Sequence, residues 1–360
     1  MPRQFLKNIL LAIVACGIVA PASAQTAAAP SNDPPVRRWL DVQQLTLYTR
    51  YRNIENSAGV TTADQLQYKD SIRARFNVDA KKRYTLNVGA FSGSSFVSSW
   101  DNWGVGTGGP FDGHDNYVKQ FYASAIPVNG LELQGGGIYV VRGEQDEWIS
   151  YDDDGFIMGT RASLKRPKDV WFDELTVTRG AIGPLSRPNI SDRWDSFKHP
   201  NYTQALAVKK LTSAVAASVT YERLPVAGST TGADLARAAV TLKLSRPSPV
   251  DTVRYEEYHR FNQHEASGFA VWADRAVSKH LRLQGGYVTV DQFYGGWNAD
   301  RMQNGRRVFE LATMPIWGPF SASIYGTQAF HSDYAITIKH RYDVFIAYDA
   351  LDSLRRARIF

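Results

Sequence analysis

Along most of this chain apolar side chains recur at every second position, with polar or charged ones between them. In "SIRARFNVDAKKRYTLNVGAF", residues 71–91, Ile72, Ala74, Phe76 and Val78 share one parity. After a short basic turn Tyr84, Leu86, Val88 and Ala90 do the same, and Arg73, Arg75, Asn77, Thr85 and Asn87 fill the gaps. The rhythm returns as Leu45, Leu47 and Tyr51 against Thr46, Tyr48, Arg50 and Arg52, and as Leu131, Leu133, Tyr139 and Val141 against Glu132, Gln134 and Arg142. Further on, Met158, Ala162 and Leu164 alternate with Arg161 and Lys165, Ala236 to Leu244 with Arg237 and Lys243, Leu281 and Leu283 with Arg282, and Ile336 to Tyr348 with Lys339, Arg341 and Asp343. Period two is the strand pattern, and no helical stretch of similar length competes with it.

The connections alternate in length. Short ones read Ala80-Lys81-Lys82, Pro127-Val128-Asn129-Gly130, Lys209-Lys210-Leu211, Arg246-Pro247-Ser248-Pro249 and Ser278-Lys279-His280; longer ones occupy 55–64, 94–116, 143–154, 183–200, 225–233 and 293–305. Short turns on one rim and long loops on the other belong to a transmembrane barrel, and the segmentation gives about 16 strands (roughly 14–18), each near the ~9–11 residues a tilted strand needs to cross a bilayer. The predicted fold is therefore all-β, a single antiparallel up-and-down barrel over residues 39–349, with 350–360 as either a tail or the end of the last strand. In such a wall one parity faces lipid and the other an aqueous lumen. A soluble sandwich would share the alternation but turn its polar parity outward. Strand length, the loop asymmetry, and aromatic residues near strand ends (Tyr51, Tyr84, Tyr139, Trp171, Tyr255, Tyr287, Tyr348) favour the barrel.

The first residues place that barrel in the cell envelope. Basic MPRQFLKN, apolar ILLAIVACGIVA and small-residue PASA form a secretory signal peptide over 1–24, which leaves 25–38 as a periplasmic N-terminal segment. Ile13-Val14-Ala15-Cys16 also reads as a lipobox, but the apolar run continues past it to an Ala22-Ser23-Ala24 cleavage site. Cys16 is the only cysteine, so the mature chain of 360 − 24 = 336 residues has no disulfide, as fits a bacterial envelope protein rather than a stapled secreted domain. Without Arg3 and Lys7 the formal charge falls from +6 to +4, and neither that charge nor the compartment calls for nucleic acid.

With signal peptide, amphipathic strands, loop asymmetry and a terminal Phe360, nearly all of the mature chain resembles the outer-membrane porin-like barrels of Gram-negative bacteria. "LTLYTRYRNIENSAG" followed by "YKDSIRARFNVDA" is also weakly similar to the first hairpin of alginate-export-type barrels, in which arginines line a path for acidic polysaccharide. The resemblance implies an outer-membrane location, contact with outer-membrane lipid, passage of small solutes and a homotrimer. One departure is that Arg356 and Arg358 share the parity of Phe360, where a terminal strand would carry apolar residues.

Function is expected on the lumen parity. It carries Arg50, Arg52, Arg73, Arg75, Arg161, Arg237, Lys243, Arg254, Arg260 and Arg282 against few acids. A narrow wet passage between low-dielectric walls focuses such a field, and guanidinium forks match carboxylate and phosphate. Those arginines could instead pair with loop acids and only stiffen the interior. Glu144, Asp146, Glu147, Asp152, Asp153 and Asp154 form an acidic stretch that, folded inward, would narrow the pore opposite the basic wall; a solvated loop fits the same residues. In the longest loop, Trp100, Trp103 and Phe111 suit a sugar platform, a plug for the mouth or an ordinary loop.

The search for catalysis is negative. Gly104, Gly106 and Gly109 fit a dinucleotide fingerprint without its βαβ context, the seven histidines lack metal-ligand spacing, and no GxSxG elbow occurs. No cofactor is expected. The expected function is passive diffusion of small anionic solutes (carboxylates, uronates, phosphates) or acidic sugars. The alternatives are a barrel hydrolase acting on lipid or polysaccharide, for which His259 and His340 are the residues to test, and a soluble envelope-binding β-sandwich.

Overall fold

The computed structural model describes residues 39–93, 99–107, 109–145, 157–165, 171–182, 188–225, 232–245, 247–262, 265–291, 305–331 and 338–357. The strands in chain order are β1 (Leu40–Glu55), β2 (Thr61–Asn77), β3 (Tyr84–Phe91), β4 (Asp101–Thr107), β5 (Tyr117–Val128), β6 (Leu131–Ile138), β7 (Ile157–Lys165), β8 (Glu174–Ala181) and β9 (Tyr202–Lys210). They continue as β10 (Val215–Leu224), β11 (Ala233–Lys243), β12 (Thr252–Arg260), β13 (Ala266–Ser278), β14 (Leu281–Val290), β15 (Gly305–Trp317), β16 (Phe320–His331) and β17 (His340–Asp349).

These segments form a closed antiparallel barrel. From β5 onward each strand pairs with the next, and β1 pairs with both β2 and β17, which closes the wall. β3 and β4 share one position: β2 pairs with β3 from Ser71 to Asn77 and with β4 from Asp64 to Tyr68, so the 17 segments make 16 staves. Closure joins the first and last strands of the wall to each other, as a bilayer demands of a sheet.

Burial is inverted relative to a soluble protein. Phe76 is 45% exposed and Ile346 is 52% exposed, whereas Arg50 is 2% exposed and Asp343 is 0% exposed. The apolar parity therefore faces outward and the polar parity inward, which rules out the sandwich, where the greasy rows would face each other. Tyr84, Trp171, Tyr255 and Trp317 stand exposed on the outer face, as interfacial aromatics do.

Local chemistry fixes the hairpins. Between β2 and β3 the Asp79 carboxylate accepts from the backbone N–H of Arg83 (2.6 Å) and of Tyr84 (3.1 Å). Lys82 takes the left-handed conformation (φ 54°) that this tight turn requires. Residues 55–64, expected as a long loop, hold only a five-residue connection, because the Asn56 side chain accepts from Ala58 N (2.9 Å) and Val60 N (3.0 Å) and folds the chain back over Gly59. The long connections also carry structure of their own. β4 lies within 94–116, and a 3-10 helix (Ile190–Lys198) lies within 183–200.

The last strand ends at Asp349 and a helix, α1 (Ala350–Arg356), follows. The Asp349 side chain caps it by accepting from Asp352 N at 3.0 Å, and Leu351 is buried. Of the two readings of residues 350–360, the terminal strand is therefore not formed over 350–356, and the parity conflict of Arg356 disappears with it.

The inward face is not polar throughout. Toward the long-loop end, Tyr202, Leu224, Leu235, Tyr258, Trp272, Val288, Val290, Phe309 and Tyr325 point inward and form one buried apolar cluster with Ile138, Ile157, Ile182 and Ile190. Part of the interior is thus packed like a core rather than wetted.

Candidate functional site

Residues 139–145 do not continue β6, although Tyr139 and Val141 keep its alternation. The segment leaves the wall after the Gly135–Gly137 run and crosses the inner faces of β7 to β10 as a strap. Arg161 holds its start: Nη2 donates to the Tyr139 carbonyl, Nε donates to Thr178 Oγ1 (3.0 Å) and Nη1 to Gln134 Oε1 (3.0 Å). Gln204 Nε2 donates to the Val141 carbonyl at 2.6 Å. At the far end Glu144 N donates to Ser218 Oγ (2.9 Å), and Gln145 Nε2 donates to Thr220 Oγ1 (2.9 Å). Gly143 makes the close approach possible, because a Cβ there would meet Ser218 Cβ at 2.8 Å and Leu206 Cδ1 at 2.9 Å, at a φ of +65°.

Beside the strap lies a cavity of about 740 Å³. Arg73 and Arg75 of β2 line one side, Gln120 and Tyr122 of β5 adjoin them, and Arg254 of β12 reaches it from across the barrel. Arg142 and Glu144 of the strap, Lys165 and Glu174 complete the charges. Five cations (Arg73, Arg75, Arg142, Lys165, Arg254) stand against Glu144, Glu174 and Glu132, which pairs with Lys165 at 2.6 Å, a formal excess of 5 − 3 = +2. Glu144 lines this cavity, while Asp146, Glu147, Asp152, Asp153 and Asp154 lie outside the described residues.

A second basic group sits at the closing seam. Asp343 of β17 receives Arg341 (Nη2, 2.6 Å), Arg52 (Nε, 3.2 Å) and Arg50 (Nη1, 3.7 Å), all buried. Three guanidiniums thus converge on one carboxylate. Arg50 also donates from Nε to Gln67 Oε1 at 2.6 Å, and Trp100 lies over its guanidinium at 4.0 Å. Trp100 packs against Tyr48 and Phe345, so this residue of the long 94–116 connection enters the lumen rather than standing outside it.

The remaining cations are dispersed. Arg237 is buried against Glu222 (2.8 Å), whose other oxygen accepts from Gln204 (2.9 Å) and Tyr202 (3.3 Å). Arg161 is committed to the strap, and buried Arg260 donates to the Asn262 carbonyl at 3.1 Å. Lys243 and Arg282 lie at the short-turn end, Arg282 paired with Asp274. Cation contacts to acids, carbonyls and rings thus absorb several residues chosen on parity alone. Sequence reasoning passed over Arg307, fully buried on β15, because its inward neighbours Phe309 and Leu311 are as apolar as outward Val308. His340 stands on the outer parity 3.8 Å from Glu55, and His259 packs on Phe261. Among the described residues no group of three metal-ligating side chains converges.

No protein-family model and no curated protein matches the sequence. Solved structures do match in fold. OmpF of Salmonella typhi, in complex with daunomycin, superposes with a TM-score of 0.57 at 10% identity over 86% of this chain and 97% of that one. A triple mutant of the Rhodopseudomonas blastica porin gives 0.53 at 13% identity, over 86% and 99%. A structure described under asymmetric conductivity of engineered proteins gives 0.55 at 12%, over 86% and 100%. At such identities the likeness is one of architecture: the chain has the 16-stranded closed barrel of the bacterial porins.

Proposed function

We propose that this chain is a porin-type channel of the bacterial outer membrane that passes small anionic solutes, carboxylates or phosphates and acidic sugars among them, by passive diffusion and without catalysis. The observation that carries the reading is the cavity beside the strap, with its excess of guanidinium and ammonium groups. Several weak sites in series suit a channel, since an anion held at one tight site would not leave. The barrel's exposed apolar belt supports the membrane location, and its likeness to porins supports a channel and a trimer.

The test is a planar bilayer with purified protein under a KCl gradient. The reversal potential is expected on the chloride side; cation selectivity, or the absence of any channel from protein that extracts only with detergent, overturns the reading.

A further inference from the structure

The outer face over β8, β9 and β10 carries a groove whose rows are fixed by strand register. Thr203 of β9 faces Arg179 of β8 on one side and Arg223 of β10 on the other. One row down, Ala205 lies between Val177 and Tyr221; the next places Ala207 between Leu175 and Val219. All of these share the outward parity, and Val177, Val219 and Tyr221 are exposed. The central strand therefore offers a floor of methyl groups between two taller apolar walls. At the long-loop end of that floor two guanidiniums flank a hydroxyl, two strand spacings or roughly 10 Å apart.

The switch from apolar to cationic occurs within one row on both walls. Charged residues on the outer wall are costly at mid-membrane and tolerated only near its surfaces, so the arginine row marks the headgroup level. The apolar rows run roughly 13 Å down the strand from there, about one leaflet's depth. Arg223 faces one acid, Asp234, at 3.8 Å, which also accepts from Tyr221 Oη at 3.0 Å. Among the described residues no carboxylate pairs with Arg179.

We infer that this groove is a binding site for a phosphate-bearing membrane lipid, its acyl chain over Ala205 and Ala207 and its headgroup phosphate between Arg179 and Arg223. A bare phosphate would use only the arginines; the alanine floor argues for the lipid. The inference rests on the outer-membrane reading.

Native mass spectrometry of the full-length barrel, released from detergent after incubation with lipid A carrying two phosphates, tests it. Retained lipid is expected to fall roughly tenfold or more when Arg179→Gln and Arg223→Gln are combined. It should fall likewise in Ala205→Leu, which fills the floor and keeps both charges, and with fully dephosphorylated lipid A. Excess inorganic phosphate should not displace the lipid; displacement would make the site an ion site and overturn the proposal, as would equal retention in the wild type and both variants. Heat-modifiable migration of each variant reports folding independently. A chain that washes from membranes with carbonate would sink the outer-membrane reading itself rather than this site alone.

Discussion

Arg50 and Asp343 meet at 3.7 Å inside the barrel, across the seam where the first strand joins the last. Arg52 and Arg341 share the same carboxylate, so one acid holds three guanidiniums at the point of closure. Removing one partner of a buried pair leaves uncompensated charge, at a cost of about 3–5 kcal/mol. Asp343→Asn is expected to lower the denaturant midpoint of the folded band in a gel-shift titration. In channels that do assemble it should strengthen chloride selectivity, because one negative charge is removed from beside three lumen guanidiniums.

Arg73 and Arg75 line the cavity from one strand, β2. A unit charge about 5 Å from a passing ion in water contributes roughly 0.8 kcal/mol, or about fourfold in local anion concentration. Arg73→Gln combined with Arg75→Gln should therefore move the reversal potential in a KCl gradient toward zero with little change in stability, whereas Lys243→Gln, at the short-turn end, should move it less.

Salt supplies a test without mutation. The Debye length shrinks from about 10 Å at 0.1 M to about 3 Å at 1 M, so a selectivity that comes from fixed lumen charges falls as the mean KCl concentration is raised at constant gradient. Selectivity that stays flat over that range would point to size exclusion instead.

The outward face was legible from sequence because lipid demands one kind of side chain there, and a two-residue period records it in Ile72, Phe76, Leu86 and Val344. The inward face obeys no such single rule. On β15 Arg307, Phe309 and Leu311 all point inward, so parity could not say which part of the lumen is wet and which is packed. The strap was hidden for a related reason. Tyr139 and Val141 continue the alternation of β6, and what pulls them from the wall is a set of contacts to Arg161, Gln204, Ser218 and Thr220, distant in the chain. Gly135, Gly136 and Gly137, just before the departure, still pair with both β5 and β7 and mark nothing. For the cations Arg237 and Arg161, the partners Glu222, Thr178 and Gln134 can be found only with the strands in register.

The strap's docking on β10 depends on a glycine. Gly143 combines φ +65° with neighbours at 2.8 and 2.9 Å, so any side chain there has to displace Ser218 or Leu206 or lift the strap from the wall. Gly143→Val is expected to keep the barrel folded, since no wall pairing is touched, and to broaden the single-channel conductance into several levels as residues 139–145 lose a fixed position. One sharp level at the wild-type value would show that the strap does not shape the passage.

The last strand ends at Asp349, and the helix after it is closed by Asp349 at one end and tied by an Arg356–Asp352 pair (2.8 Å) near the other. The outward aromatic and aliphatic row of β17, Tyr342, Val344, Ile346 and Tyr348, completes the wall before that helix begins, and β17 already pairs with both β16 and β1. Removing residues 357–360, with Phe360 among them, takes nothing from either pairing, so the truncated protein is expected to reach the heat-modifiable folded state at nearly the wild-type yield. Tyr348→Asp, by contrast, puts a charge on the outer face at the end of the closing strand, where Tyr348 packs at 4.9 Å against Phe320. It should cut folded yield severalfold, since a carboxylate on the outer face near the membrane surface costs up to about 1 kcal/mol and the lost aromatic pair about 0.5–1.5 kcal/mol more. Should the truncation abolish folding while Tyr348→Asp leaves it intact, closure would depend on the chain beyond the helix rather than on the β17 row.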